Sequence, residues 1–244
     1  MALDLEKMKQ RQASLQGRGG NGNDFWKPEE GEQVIRIVPM EDGDPFKDYW
    51  FHYGVGEARG FLCPKRNFGD ECPVCSFASQ LWNSHTNGDA DAGEEAKKLF
   101  AKQRFFSPVI IREQHDTPKV WGYSKTVYEQ LLNLVFDPDY GDITDVMEGN
   151  DIRLIYSKPA GRRFPMTEIR VRPHKTALFD DKDQIKAAID NIPDFGALFE
   201  RKSSAEVQET LDQFLIVDNP ANSAADSNSG DSSIESSFNE LLNA

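Results

Sequence analysis

The segment from His52 to Cys75 reads HYGVGEARGFLCPKRNFGDECPVC and contains all three cysteines of the chain. Glycine, proline and cysteine are frequent in it and aliphatic side chains are few, so the segment cannot bury a hydrophobic core of its own. Zn²⁺ takes four thiolate and imidazole ligands in closed, structural sites. The segment therefore predicts one structural zinc ion in place of the missing core. The predicted ligands are His52, Cys63, Cys72 and Cys75.

Other interpretations of these residues stay open. Cys72 and Cys75 form a C-x-x-C pair, which redox proteins also use, or they are structural thiols without a metal. A redox C-x-x-C is expected at a strand-to-helix junction within a βαβ pattern, whereas antiparallel strands are predicted to flank this one. His85 is the alternative fourth ligand. We favour His52 because a predicted strand fixes its position, while His85 falls in a predicted loop.

Strand-like and helix-like segments surround the cysteines. β-Branched and aromatic residues predict strands at 33–39, 47–53, 104–113, 119–124, 151–158 and 166–173. The first two strands are expected to form an antiparallel pair and the last two a hairpin. Apolar spacing predicts helices at 94–103 and 125–136, and helical structure within 181–216. The predicted fold class is therefore mainly β with some α.

The net charge of −13 is unevenly distributed. No Lys or Arg follows Lys202, whereas eight Asp and Glu residues do, so the chain up to Lys202 carries a net charge of only −5. Residues 153–175 hold seven basic side chains against a single acid, Glu168. Because binding of a polyphosphate depends on a local basic surface, nucleic acid stays a candidate partner.

Basic residues of the predicted hairpin alternate with apolar ones. Side chains along a strand point to the two faces in turn. Arg153, together with Arg170 and Arg172, is therefore expected on the face opposite Ile152 and Leu154. This part of the sheet should present a basic face.

Aromatic residues recur beside lysine and arginine at four places. Proteins that bind single-stranded nucleic acid combine a positive groove with rings on which bases stack, so the pattern predicts this function. The clusters are Lys65, Arg66 and Phe68; Lys102, Arg104, Phe105 and Phe106; Trp121, Tyr123 and Lys125; and Arg162, Arg163 and Phe164. Phe105 and Phe106 are adjacent on a strand and face opposite sides, so one of them is expected in the core.

Enzymatic and membrane functions are not predicted. The chain contains no G-x-x-x-x-G-K-[ST], G-x-S-x-G or H-E-x-x-H motif, and no apolar run long enough to span a membrane. The alternatives to single-strand binding are a zinc-containing nucleic-acid-processing enzyme, a zinc protein that reads duplex DNA, and an RNA-binding protein. Duplex readers usually place a helix in the major groove, and no strongly basic helix accompanies the cysteines.

The order of these features resembles the single-stranded DNA-binding (helix-destabilising) proteins of T-even-type tailed phages and cyanophages. The resemblance rests on a basic N-terminal segment, His52, Cys63, the C-P-V-C of 72–75, aromatic-basic strands near 102–106 and 119–125, and an acidic tail with a leucine-containing end. It implies an OB-type five-stranded barrel with an inserted zinc-binding subdomain at about 50–80 and flanking helices. It also implies that one Zn²⁺ binds His52, Cys63, Cys72 and Cys75.

DNA-binding residues follow from the same resemblance. Bases are expected to stack on aromatic side chains of the zinc-binding subdomain and the sheet, and phosphates to contact the neighbouring cations. The implied rings are Phe68, Phe77, Phe105, Phe106 and Tyr123, with Trp82 and Phe164. The expected cations are Lys65, Arg66, Lys102, Arg104, Arg153, Arg162 and Arg163.

Three regions with different tasks are expected along the chain. Residues 1–20 form a basic arm for cooperative self-association through Lys7, Lys9 and Arg11, residues 21–217 form the DNA-binding core, and residues 218–244 form a disordered acidic tail. The tail, which ends in FNELLNA, is expected to bind replication and recombination proteins. The implied function is a sequence-independent coat on single-stranded DNA during phage replication, recombination and repair, in the cytoplasm of the infected bacterial host.

Overall fold

A computed structural model describes residues 24–56, 60–112, 114, 117–161 and 165–217. The predictions for the N-terminal arm, for the 162–164 loop and for the acidic tail fall outside these residues. They concern Lys7, Lys9, Arg11, Arg162, Arg163, Phe164 and 218–244. Within the described residues, every helix is too short or too polar to cross a membrane.

Eight strands of the described chain form one sheet. They are β1 (Phe25–Trp26), β2 (Gly31–Ile37), β3 (Lys47–His52), β4 (Phe61–Leu62), β5 (Lys102–Ile111), β6 (Lys119–Tyr123), β7 (Gly149–Ser157) and β8 (Met166–Thr176). Their order is β1-β6-β5-β2-β7-β8, and β3 pairs with β5 and β4. The β1–β6 pairing is parallel and the others are antiparallel. The sheet therefore has more strands than the five expected.

The six described helices lie between and after the strands. They are α1 (Pro64–Phe68), α2 (Pro73–Thr86), α3 (Ala90–Leu99), α4 (Lys125–Val135), α5 (Lys182–Asp190) and α6 (Ser204–Val217). The α4 prediction is confirmed. The predicted loop at His85 is wrong, because α2 continues to Thr86 and includes His85. The fold is mainly β with some α, as predicted.

The predicted pairing of β2 with β3 is wrong, because both strands pair with β5 instead. β5 is ten residues long, which allows it to pair with two strands in succession. Its first half pairs with β3, from Phe51 opposite Lys102 to Lys47 opposite Phe106. Its second half pairs with β2, where Ile37 lies opposite Val109. The predicted hairpin of β7 and β8 is confirmed.

Both faces of β5 are covered by apolar packing. Phe105 belongs to one core cluster with Trp121, Tyr123 and the α4 residue Leu131. Phe106 belongs to a second cluster on the other side, which includes Phe51, Phe195 and Leu198. The expectation that only one of the two adjacent phenylalanines packs inward is therefore wrong, since residues 195–198 cover the second face.

The cysteine-bearing subdomain is completed by the last described helix. Cys63, Cys72 and Val74 share one buried cluster with Val207 and Leu211 of α6. The Ser204 hydroxyl at the start of α6 donates a hydrogen bond to the Glu71 carbonyl at 2.6 Å. The subdomain thus consists of two segments that are far apart in the sequence, and α6 supplies apolar surface that residues 52–75 lack.

Candidate metal centre and nucleic-acid interface

Four side chains from three elements converge in the cysteine-bearing subdomain. His52 ends β3, Cys63 is the N-cap residue of α1, and Cys72 is the N-cap residue of α2. Cys75 follows in the first turn of α2. One imidazole nitrogen and three Sγ atoms lie within 4.8 Å of one another, and three of the four residues are buried. The four predicted ligands therefore form a single cluster that could hold a metal ion.

The spacing of these atoms fits a tetrahedral ion. His52 Nε2 lies 3.3 Å from Cys72 Sγ and 3.5 Å from Cys75 Sγ, and Cys63 Sγ lies 3.4 Å from Cys75 Sγ. With metal–sulfur bonds of about 2.3 Å and metal–nitrogen bonds of about 2.0 Å, neighbouring ligand atoms of a tetrahedral site lie roughly 3.5 to 3.8 Å apart. The observed separations are close to these expected distances between ligand atoms.

Hydrogen bonds around the cluster hold the ligands in place. His52 Nδ1 lies 2.8 Å from the Leu99 carbonyl oxygen, which favours the tautomer that leaves Nε2 free for a metal. The Arg66 backbone N–H donates to Cys63 Sγ at 3.4 Å. Cys63 and Cys72 also lie at the N-termini of α1 and α2, and the partial positive charge of a helix N-terminus favours a thiolate.

The pKa values of His52, Cys63 and Cys75 are shifted by their neighbours in the cluster. Burial lowers the pKa of His52, but hydrogen bonds to Cys63 and Cys72 outweigh this and raise it to about 9. Hydrogen bonds from Cys72 and Cys75 lower the pKa of Cys63, whereas hydrogen bonds to Cys63 and Cys72 raise the pKa of Cys75. Because three adjacent thiols repel each other once ionised, a cation between them is what would stabilise all three thiolates.

His85 does not belong to this cluster. Its Nδ1 lies 3.0 Å from the Asp89 carbonyl oxygen, and its ring lies 5.1 Å from the ring of Trp82. The choice of His52 over His85 thus agrees with the geometry. A two-cysteine redox centre describes the site less well, because Cys72 and Cys75 share it with a third thiol and an imidazole.

Cations lie close to aromatic rings around α1 in the cysteine-bearing subdomain. We call this surface the α1 face. Its members, each exposed or half-buried, are Trp50, Lys65, Arg66, Phe68, Arg201 and Lys202. The Arg66 guanidinium lies 5.1 Å from the centre of the Trp50 ring, and the Arg201 guanidinium lies 4.2 Å from that of Phe68. The Lys202 ammonium lies 5.2 Å from the Phe61 ring.

α1 is held firmly against β3. The Asn67 side chain accepts a hydrogen bond from the Trp50 backbone N–H at 2.9 Å and donates one to the Trp50 carbonyl at 2.7 Å. Asn67 also donates to the Cys63 carbonyl at 2.9 Å. Phe68 remains 39% exposed, so its side chain is open to a ligand while its backbone is fixed. A ring on a rigid helix is suited to stacking.

Three members of the α1 face were not identified from the sequence. Arg201 and Lys202 are far from the cysteines in the sequence and join the face only through the fold. Trp50 lies on a strand beside the predicted ligand His52, and its neighbours in the sequence include no arginine. The sole available signal was that Arg201 and Lys202 are the last basic residues before the acidic end of the chain.

Several predicted stacking residues are interior residues instead. Phe105 is 4% exposed, Phe106 is fully buried and Tyr123 is 4% exposed. The Phe105 ring stacks on Tyr128 at 4.0 Å, and the Tyr123 hydroxyl lies 2.7 Å from the Ser107 hydroxyl. Neighbouring side chains cover these rings in the described structure, so base stacking on them stays a prediction.

The remaining predicted residues of the central region are partly covered. Arg104 is only 9% exposed, and its guanidinium lies 6.0 Å from the centre of the Tyr53 ring. Lys102 donates to the Lys97 carbonyl at 3.0 Å. Phe77 is half-buried and lines a groove of about 710 Å³ between α2 and α6. Trp82 is 36% exposed and packs against Phe100.

The predicted basic face of the β7–β8 hairpin exists but is partly neutralised. Arg153 lies opposite Arg170 in the strand pairing, and Ile152 and Leu154 on the other side are buried. Arg153 forms an ion pair with Glu32 at 2.9 Å, and Arg170 forms one with Glu168 at 2.8 Å. These arginines are therefore on the surface, as expected, with acidic partners.

Comparison with known proteins finds a family model that matches this chain. A protein-family model described as "gp32 DNA binding protein like" matches residues 29–217. The match covers more than half of the chain and includes the metal cluster, the α1 face and strands β2 to β8. No curated protein matches the chain.

Proposed function

The chain belongs to the gp32-like family of DNA-binding proteins and binds single-stranded DNA as a member of it, and we propose that it coats exposed single strands without reading their sequence. The α1 face carries this proposal. It combines four cations with two aromatic rings, Trp50 and Phe68, which is the combination that sequence-independent single-strand binders use. Phosphates contact Lys65, Arg66 and Lys202, and bases stack on Phe68.

The hairpin and the groove extend this proposed surface. Arg153 on the sheet and Phe77 in the α2–α6 groove stay candidate contacts for the flanking nucleotides, as does Lys102. Arg162, Arg163 and Phe164 lie between β7 and β8 in the sequence, and we retain them as proposed contacts. No base-specific pairing is invoked, because stacking and phosphate contact accept every base.

One Zn²⁺ ion is the proposed occupant of the metal cluster. His52, Cys63, Cys72 and Cys75 are the ligand types that zinc takes in structural sites, and four protein ligands leave no open position for a substrate. The ion would hold β3, α1 and α2 together beneath the α1 face. Its role is therefore structural, and we propose that the protein is not an enzyme.

The two ends of the chain are given the roles that the resemblance implies. Residues 1–20, with Lys7, Lys9 and Arg11, are proposed to contact the next protomer along the strand and so make binding cooperative. Residues 218–244 carry acidic side chains and no basic ones, and are proposed to compete with DNA and to bind replication and recombination proteins. The proposed setting is DNA replication, recombination and repair of a phage, in the cytoplasm of its bacterial host.

The test of this function is a fluorescence titration of zinc-assayed protein with a dT oligomer. The matching duplex and an RNA oligomer of the same length serve as controls, and the salt concentration is varied. We expect salt-sensitive binding of the single strand, weak binding of the duplex, and about one zinc per chain. Equal binding of duplex would contradict the proposal, and a clear preference for RNA would redirect it to RNA. Degradation of any of these oligomers would favour an enzyme.

Truncation separates the proposed roles of the two ends. Removing residues 1–16 should abolish cooperativity on long strands while leaving affinity for a single-site oligomer nearly unchanged, because the arm would contact protein rather than DNA. Removing 218–244 should tighten binding at low salt, because an acidic competitor is lost. An unchanged isotherm in the first case, or unchanged affinity in the second, would contradict the role assigned to that end.

A further inference from the structure

Arg201 makes two contacts on the α1 face at once. Its guanidinium lies 4.2 Å from the centre of the Phe68 ring and forms an ion pair with the Asp70 carboxylate. The side chains of Arg201 and Asp70 are 56% and 44% exposed. An acidic group thus lies within a surface otherwise suited to phosphate.

The position of Asp70 is fixed by the end of α1. Gly69 adopts a left-handed conformation with φ of +79° and its N–H donates to the Lys65 carbonyl. The Asp70 N–H donates to the Pro64 carbonyl at 3.3 Å. These two hydrogen bonds end the helix and place Asp70 beside Arg201. A residue with a Cβ at position 69 would be strained in this conformation.

The position of Arg201 is fixed from the other side of the contact. Arg201 precedes α6, whose first residue, Ser204, is bonded to the Glu71 carbonyl. Ser203 and Glu206 cap the helix through two hydrogen bonds of 2.7 Å. Glu71, next to Asp70, is therefore hydrogen-bonded to Ser204, which is close to Arg201 in the sequence. The Arg201–Asp70 contact is thus part of the folded structure.

We propose that Asp70 is an internal substitute for a DNA phosphate. In the DNA-free protein its carboxylate binds the guanidinium of Arg201, and on binding a phosphate of the single strand replaces it while a base stacks on Phe68. The exchange is chemically matched, because guanidinium groups form the same forked hydrogen bonds with carboxylate and phosphate. Arg201 is then a DNA contact contributed from beyond the OB-type sheet. This inference rests on the proposed function.

Electrostatics also permit this exchange of carboxylate for phosphate. Exposed ion pairs between single side chains are weak, so the Arg201–Asp70 pair can open without disturbing the fold. Lys65 and the second acid, Glu71, line the α2–α6 groove together with Asp70. A released Asp70 would lie in the same groove as the Lys65 cation, which limits the cost of separating it from Arg201.

The test is a double-mutant cycle on full-length protein with a dT oligomer. Asp70→Asn should tighten binding by about twofold to fivefold at low salt, which corresponds to the strength of an exposed ion pair. Arg201→Gln should weaken binding and reduce the magnitude of the salt slope by about 0.7, the value for one phosphate contact on a single strand. In the double variant, Asp70→Asn should lose its effect, because its partner is gone.

Matched controls separate the contact from general electrostatics. Asp42→Asn removes an exposed acid that is paired with Lys47, and Lys182→Gln removes an exposed cation on α5. Neither should change binding by more than a small factor. Zinc content and the circular dichroism spectrum report whether each variant is folded.

Each outcome has one meaning. Wild-type protein that fails to bind the oligomer would contradict the proposed function itself. Wild-type binding with unchanged affinity in Arg201→Gln would overturn only the inference. An equal effect of Asp70→Asn with and without Arg201 would overturn it too, because the acid would then act at long range. Weaker binding by Asp70→Asn would show that Asp70 positions Arg201 instead of competing for it.

Discussion

Aromatic rings in the sheet and on the α1 face have different neighbours. Phe105 stacks on Tyr128 at 4.0 Å and is 4% exposed, whereas Phe68 lies 4.2 Å from a guanidinium and is 39% exposed. Both rings are close to basic residues in the sequence. The fold directs the first into a hydrocarbon core and leaves the second at the surface, so only the second is available to a base.

Stability has a different origin in the two regions. The sheet buries apolar clusters on both faces of β5, and hydrophobic burial accounts for its stability. The cysteine-bearing subdomain has a separate cluster in which Cys63 and Cys72 are themselves members. We therefore expect the two regions to respond differently to loss of the metal and to truncation of a core side chain.

The largest effect is expected from Cys72→Ser. Metal binding contributes on the order of 10 kcal/mol to the folding of small zinc domains, so removing one ligand should unfold the subdomain and leave the sheet folded. Zinc content and hydrogen exchange measure this, with loss of protection in α1 and α2 but not in β5. His85→Ala is the control and should keep one zinc. A Cys72→Ser protein with full zinc and normal protection would contradict the assigned site.

Phe105 offers the next largest effect. Phe105→Ala should lower the free energy of unfolding by about 3 to 5 kcal/mol, because it leaves a cavity in the sheet core. Phe105→Leu, which stays apolar, should keep the affinity for a dT oligomer within about twofold, since a covered ring makes no stacking contact. Denaturant unfolding and the titration measure the two effects. Strong loss of DNA binding in the folded Leu variant would restore Phe105 as a DNA contact.

Phe68→Ala tests the surface ring. It should weaken single-strand binding by about 1 to 3 kcal/mol, the value of one stacked base, with little change in thermal stability. The matched control is Phe136→Ala, because Phe136 is 74% exposed and lies outside the α1 face. Equal affinities of the two variants would remove Phe68 from the interface.

The smallest effect is expected from Arg153→Gln. Arg153 is already paired with Glu32, and exposed pairs contribute about 1 kcal/mol or less, so binding should weaken by at most about fivefold. Lys182→Gln again serves as the control for a change of net charge. A loss of affinity as large as that of Phe68→Ala would indicate that the main DNA interface lies on the sheet and not on the α1 face.

Local features of the sequence were sufficient for part of this structure. The spacing of His52, Cys63, Cys72 and Cys75 predicted the metal cluster, because ligand chemistry restricts which residues can converge. Alternation predicted the hairpin that carries Arg153, because strand geometry is periodic. Both inferences needed only information within a short segment.

Long-range packing explains what the sequence did not reveal. The burial of Phe106 depends on Phe195 and Leu198, which approach from a distant segment. The contribution of Arg201 to the α1 face likewise depends on how α6 docks. The pairing of β2 with β3 was wrongly predicted because the length of β5, which allows both strands to pair with it, shows its effect only once the sheet is assembled. The periodic spacing of apolar residues in the sequence gives no information on such long-range contacts.

The docking of α6 on the cysteine-bearing subdomain also affects how the chain folds during synthesis. The ligands His52 to Cys75 emerge together, and the short separation between them favours early closure of the site. Ser204, which anchors α6 to Glu71, follows 133 residues later. Until then the apolar side of α2 that α6 covers is exposed on the ribosome. Nascent chains that stop before residue 204 should therefore be targets for chaperones and prone to aggregation.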